Sequence, residues 1–169
     1  MSSVRILVLA TLVFSCVTVR GAVAQIGNGE TGMLLAKRSG GAGVLCGRAF
    51  TCSGLATILR RSEQVTLSIR GVRNQPFALF LGIGARPVCL TIPGIHNQLF
   101  EFPILVAASG VLTTQDTVRA CPGGLESFTF TVPATLPIGS HIVFQALAWS
   151  YYQSSQVPTF TVAVDATVQ

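Results

Sequence analysis

Apolar and polar residues alternate over residues 65–70, where Val65, Leu67 and Ile69 fall on one side and Thr66, Ser68 and Arg70 on the other. Successive side chains of an extended strand point to opposite faces, so this pattern predicts a strand with one side in a core and one in water. The same period recurs over residues 126–132, with Phe128, Phe130 and Val132 set against Ser127, Thr129 and Thr131. It returns over residues 158–164 with Phe160, Val162 and Val164. Residues 76–84, 87–92 and 99–107 are rich in β-branched and aromatic residues and are bounded by Gly, Pro and Asn, which reads as three further strands. No long stretch follows the 3.6-residue period of a capped helix. About seven to eight short strands, with no helices to cover a parallel sheet, predict an all-β protein made of two antiparallel sheets packed as a β-sandwich.

Two details refine this picture. Pro103 cannot donate to a ladder and marks an edge strand or a bulge, while Pro133, Pro137 and Gly139 make residues 132–139 a loop between strands. Residues 140–152 are apolar on both sides. Ile142, Phe144, Ala146 and Ala148 stand on one face, and Val143, Gln145, Leu147, Trp149 and Tyr151 on the other. Such a strand is expected to be central and covered on both faces for part of its length. Gln145 then needs a partner for its amide, most simply the backbone of a neighbouring loop.

The first residues follow another logic. Arg5, the apolar run from Ile6 to Val19 and the Ala22-Val23-Ala24 site before Gln25 have the form of a signal peptide over residues 1–24. A membrane span needs roughly 20 apolar residues, and Arg20 interrupts this run, so no transmembrane segment is expected in the mature chain. Cys16 within "LVFSC" carries a second reading, a lipid-anchored cysteine that would tether the chain to a membrane. The simpler reading is a cysteine inside a signal core, and the expectation is a secreted or cell-surface protein. Residues 25–45 are rich in glycine and read as a flexible leader, with the β-sandwich domain spanning residues 46–169. A phosphate cradle at "SGGAGVLCG" fails, because no Gly-Lys-Ser/Thr follows.

Charge is scarce. The chain has 11 basic and 6 acidic residues; without Arg5 and Arg20, 9 basic residues remain. They are dispersed, with Lys37-Arg38 and Arg60-Arg61 the tight pairs, so no nucleic-acid partner is expected. Cys46, Cys52, Cys89 and Cys121 remain after residue 24, an even count that reads as a disulfide framework in an exported chain. Three pairings are possible, and the one expected is Cys46 with Cys52 and Cys89 with Cys121. No C-x-x-C motif or finger-like histidine spacing is present, and no metal or other cofactor is expected.

Candidate chemistry is limited to a few side chains. Trp149, Tyr151 and Tyr152 could contact a ligand, since aromatic faces stack on sugar rings and peptide, although a lone Trp in a sandwich commonly fills the core. Glu101 and Glu126 could face each other across strands as a glycosidase pair needs, but each also stands where a solvated charge belongs. His96 and His141 read as exposed turn residues, and no nucleophile elbow, zinc-protease motif or calcium loop occurs. No catalytic residue is assigned. The uncharged segments "FTFTV" and "FTVAV" would favour weak self-association if either lay on an open sheet edge.

Several features together resemble a module of secreted planctomycete-type bacterial proteins. They are Cys46-Gly47 and Cys52-Ser53-Gly54, "FALFLGIG" followed by "PVCLTIPG", and the Gly-x5-Gln-Ala-Leu pattern from Gly139 to Leu147. The resemblance implies an extracytoplasmic, Ig-like β-sandwich with no assigned catalysis. In that family an Asp-Pro turn follows the Gln-Ala-Leu strand, whereas here "WSYYQSSQ" stands. Two functions follow as expectations: a non-enzymatic surface module for adhesion, assembly or display, with a cell-surface glycan or protein as partner, or a small carbohydrate-binding module using its aromatic residues. A secreted hydrolase is the third.

Overall fold

The computed structural model describes residues 31–47, 54–83, 86–102, 105–117, 121–152 and 154–169. Thirteen strands occur among them, and no helix. They are β1 (Thr31–Lys37), β2 (Gly40–Gly47), β3 (Gly54–Leu59), β4 (Gln64–Val72), β5 (Pro76–Ile83), β6 (Arg86–Thr91), β7 (Gln98–Phe102), β8 (Leu105–Val111), β9 (Thr114–Gln115), β10 (Gly123–Thr131), β11 (His141–Tyr152), β12 (Ser155–Phe160) and β13 (Ala163–Val168). The first sheet runs β2-β1-β4-β10-β9. The second runs β3-β13-β11-β5-β8, with β12 also paired to β11, and β6 and β7 form a separate hairpin. Every strand pairing is antiparallel except β13 with β3.

The all-β sandwich expected from the alternation is what the chain forms. Val65, Leu67 and Ile69 of β4 are at most 1% exposed and face Ile142, Phe144, Ala146 and Ala148 of β11 in one core, joined by Val164, Ala166 and Val168 of β13. On the opposite face of β4, Thr66 and Ser68 pair hydroxyl to hydroxyl with Thr129 and Ser127 of β10, each at 3.0 Å. Phe128 and Phe130 reach inward from β10 to Phe77 and Phe144, with ring centroids 5.9 Å apart in both pairs.

Residues 31–45, expected within a flexible leader, instead form β1 and most of β2. Met33 and Leu35 are fully buried, and β1 lies between β2 and β4. The glycines that suggested mobility admit a close strand: a Cβ on Gly43, whose φ is +132°, would stand 2.8 Å from the Cα of Leu34. The signal peptide and Cys16 lie outside the described residues. The strand expected over residues 99–107 is two strands in different sheets, β7 and β8, on either side of residues 103–104.

The continuous alternation expected over residues 158–164 also breaks. β12 and β13 run along the same edge of β11, separated by Thr161 and Val162. There the Thr161 backbone N–H donates to the Ala146 carbonyl at 2.8 Å, and the Thr161 hydroxyl accepts the Ala146 N–H at 2.9 Å. A side chain thus takes one place in the ladder, and the inward register shifts at that point. The odd-numbered face of β11 is covered in its first half by the β6–β7 hairpin, where Val143 packs with Phe100 and Ala163. Burial on both faces therefore holds for that part of β11, as expected.

Candidate functional site

Beyond Leu147, β11 no longer pairs with β5 and continues as a hairpin with β12 alone. Trp149 and Tyr151 lie on its odd-numbered face, opposite Pro158 and Gln156. Residues two apart on a strand share a face about 7 Å from one another. Trp149 is half-buried and Tyr151 is 43% exposed, so both present part of a ring to solvent. Tyr152 points the other way and meets the His96 ring edge-on, with centroids 4.7 Å apart. Two of the three aromatics named from sequence therefore share one surface, and the third does not.

His96 departs from the expected exposed turn residue. Its N–H donates to the Pro158 carbonyl and its carbonyl accepts the Phe160 N–H, both at 2.9 Å, which stitches it to the outer edge of β12. The ring is consequently half-buried. His141, at the start of β11, is exposed as expected and lies 3.1 Å from the Asp165 carboxylate. Glu101 sits opposite Pro87 within the β6–β7 hairpin, and Glu126 opposite Ile69 in the first sheet. They are not cross-strand neighbours, so strand pairing does not set the two residues opposite each other as a glycosidase pair would require.

The expected cysteine pairing is overturned. Cys46 at the end of β2 is bonded to Cys121 before β10, 75 residues apart, with Cα atoms 5.4 Å from one another. Cys89 is also disulfide-bonded, and Cys52 lies outside the described residues. The reason is that Cys46 leaves the first sheet beside the segment that enters β10 in the same sheet. The Asp116 carboxylate lies within 4.8 Å of both sulfurs. Disulfide sulfur is not the thiolate that ligates a metal, and Asp116 is already held by Arg70 at 2.8 Å. That group is a structural knot.

The sheet edges carry a further feature. Among the described residues, 126–131 of β10 have no ladder partner on the side where β9 pairs only Gly124 and Leu125, so "FTFTV" lies along an edge that they leave open. "FTVAV" does not: the Phe160 N–H donates to the His96 carbonyl, and Ala163 and Val164 pair with β3. β8 ends the second sheet. It is seven residues long, uncharged and without proline, and exposes Leu105 at 65%, Val106 at 64% and Val111 at 45%. Its one irregularity is a register shift opposite Leu79 and Phe80.

No protein-family model and no curated protein sequence matches the chain. Among solved structures, a chitin binding domain from Burkholderia pseudomallei is similar at 15% identity with a TM-score of 0.34. The likeness covers 69% of this chain and 57% of that domain, and says nothing of a shared ligand.

Proposed function

We propose that the protein is a non-enzymatic module of the cell exterior that works by assembly, adding its exposed β8 edge to the same edge of a second copy. The observation that carries this reading is β8 itself. An edge strand presents a row of unpaired N–H and C=O groups, and native sheets usually guard such rows with lysine, proline or extreme shortness. Over its seven residues β8 has no lysine, no proline and no extreme shortness, its one interruption being the register shift opposite Leu79 and Phe80, and it adds apolar side chains that association would remove from water. Sedimentation velocity over a wide concentration range tests it. The wild-type chain is expected to shift toward dimer as concentration rises, and Val106→Lys, which places a charge on the edge, to remain monomeric. A wild-type monomer at every concentration overturns the reading.

A second reading has its own support. Trp149 and Tyr151 form a partly exposed aromatic strip on one face of the β11–β12 hairpin, a surface suited to the apolar face of a sugar ring. Retention on immobilised neutral glycans, lost in Trp149→Ala and Tyr151→Ala, is the expected result. Equal retention by the variants removes it.

A further inference from the structure

The two basic pairs that stand apart in the sequence meet in space. β1 pairs with β4 so that Ala36 lies opposite Thr66 and Lys37 opposite Val65. This register sets Lys37, at the end of β1, and Arg38, in the turn after it, beside the segment before β4 that carries Arg60 and Arg61. Between them opens a cleft of about 680 Å³. Four of the nine basic residues beyond residue 24 line it, against one of the six acidic residues, Glu63. The remaining five basic and five acidic residues cancel, so the positive charge of that part of the chain is concentrated here.

None of the four cations is neutralised by an ion pair among the described residues, where the bridges are Arg70 with Asp116 and His141 with Asp165. The Lys37 ammonium donates to the Ile58 carbonyl and the Arg61 guanidinium to the Ala134 carbonyl at 3.5 Å, contacts that position the charges without cancelling them. The Glu63 carboxylate, which also lines the cleft, accepts the backbone N–H of Arg60 at 3.1 Å and forms no ion pair with the four cations among the described residues. Gathering like charges costs self-repulsion, which an anion in the cleft relieves, and a concave basic surface focuses the field on such a ligand.

We infer that this cleft binds an acidic saccharide, an oligosaccharide bearing sulfate or carboxylate groups. The cations supply charge-assisted hydrogen bonds to the anionic groups, with arginine able to engage them in bidentate fashion. Ser62, Gln64 and Thr66 add neutral partners for sugar hydroxyls. Among the described residues no aromatic side chain lines the cleft, which gives single-stranded nucleic acid no stacking platform there. Four cations at two turn tips also fall short of the stripe that tracks a duplex backbone. No residue of β8 takes part, and the inference stands independently of edge pairing.

Binding of the full chain to dextran sulfate, polygalacturonate, neutral dextran and a short DNA duplex, measured by fluorescence titration at rising salt, tests the inference. Binding to at least one acidic polysaccharide, weakening with salt and absent for neutral dextran, is expected. The double variant Arg60→Gln/Arg61→Gln should bind about tenfold more weakly or worse. Arg73→Gln, a basic residue outside the cleft, should bind as the wild type does. Both arginines of the double variant are on an exposed turn, and an unchanged thermal midpoint shows that the fold is kept. Failure to bind either acidic polymer, equal loss in Arg73→Gln, or preferential binding of the duplex overturns the assignment.

Discussion

The backbone N–H of Phe100 donates to the side-chain oxygen of Gln145 at 2.8 Å, and this bond fastens the β6–β7 hairpin to the outside of the second sheet. The NH2 group of the same amide donates to the carbonyls of Gln98 and Thr161, each at 2.9 Å. One side chain thus joins β7, β11 and the break between β12 and β13. Gln145 is 4% exposed and Phe100 7%, so water does not readily replace these bonds.

Gln145→Leu is therefore expected to cost roughly 2 to 4 kcal/mol, because a buried donor and two carbonyls lose their partner while the volume hardly changes. Denaturant unfolding measures the loss. Faster hydrogen exchange at Phe100, with exchange in β4 less affected, would localise it to the hairpin.

Gly71→Ala tests how closely the two sheets approach. A Cβ there would stand 2.8 Å from the Trp149 carbonyl oxygen, 3.0 Å from Leu112 and 3.1 Å from the Ala148 side chain. Two of these neighbours are fully buried, so the strand carrying Trp149 has to move. A loss of about 1 to 3 kcal/mol is expected, with a shift in tryptophan fluorescence reporting the displacement.

The Cys46–Cys121 bond closes a long loop across the first sheet. In the chain-entropy account a loop of this size contributes about 4 kcal/mol through the unfolded state. Cys46→Ala/Cys121→Ala should lower the thermal midpoint accordingly. Peptide mapping of the non-reduced wild-type chain should recover the two cysteines in one linked pair of fragments, and a Cys89–Cys121 linkage would contradict the bond.

Asp116→Asn should cost more than its small change in shape suggests. The Arg70 and Asp116 side chains are 10% and 2% exposed, and the Arg70 Nη1 has no partner among the described residues. Removing the carboxylate charge leaves a buried guanidinium uncompensated, a loss of roughly 3 to 5 kcal/mol. Replacing both residues, as Arg70→Met/Asp116→Leu, is expected to lose less than Asp116→Asn alone, which a denaturation series on the two variants checks.

Period-two patterning was enough to place Val65, Leu67 and Ile69 in the core, because alternation is a property of the strand alone. It was also enough to foresee that Gln145 would bond to backbone, since a buried amide has few other partners. It failed where tertiary contact overrides local signal. The glycines around β2 look mobile in isolation, yet they let that strand lie against Met33 and Leu34. The shift at Thr161 depends on a hydroxyl reaching Ala146, which no local period encodes. Strand pairing is a long-range choice, and for that reason the true partner of Cys46, the openness of β8 and the meeting of Lys37-Arg38 with Arg60-Arg61 were all hidden. Of the aromatic residues, the alternation correctly put Trp149 and Tyr151 on one face, while the contact of Tyr152 with His96 required the fold.

The position of β13 bears on how the molecule is made. This strand lies between β11 and β3, and its parallel pairing with β3 joins segments far apart in the chain. Just beyond it, the N–H of Gln169 donates to Leu59 and its carbonyl accepts from Arg61. Until residues 163–168 have been synthesised, a nascent chain on the ribosome has no filler for the gap between β3 and β11, and pairing at such separation is slow to form. Closure of the second sheet therefore rests on one pairing between distant segments, which makes it a slow, cooperative event rather than a local one.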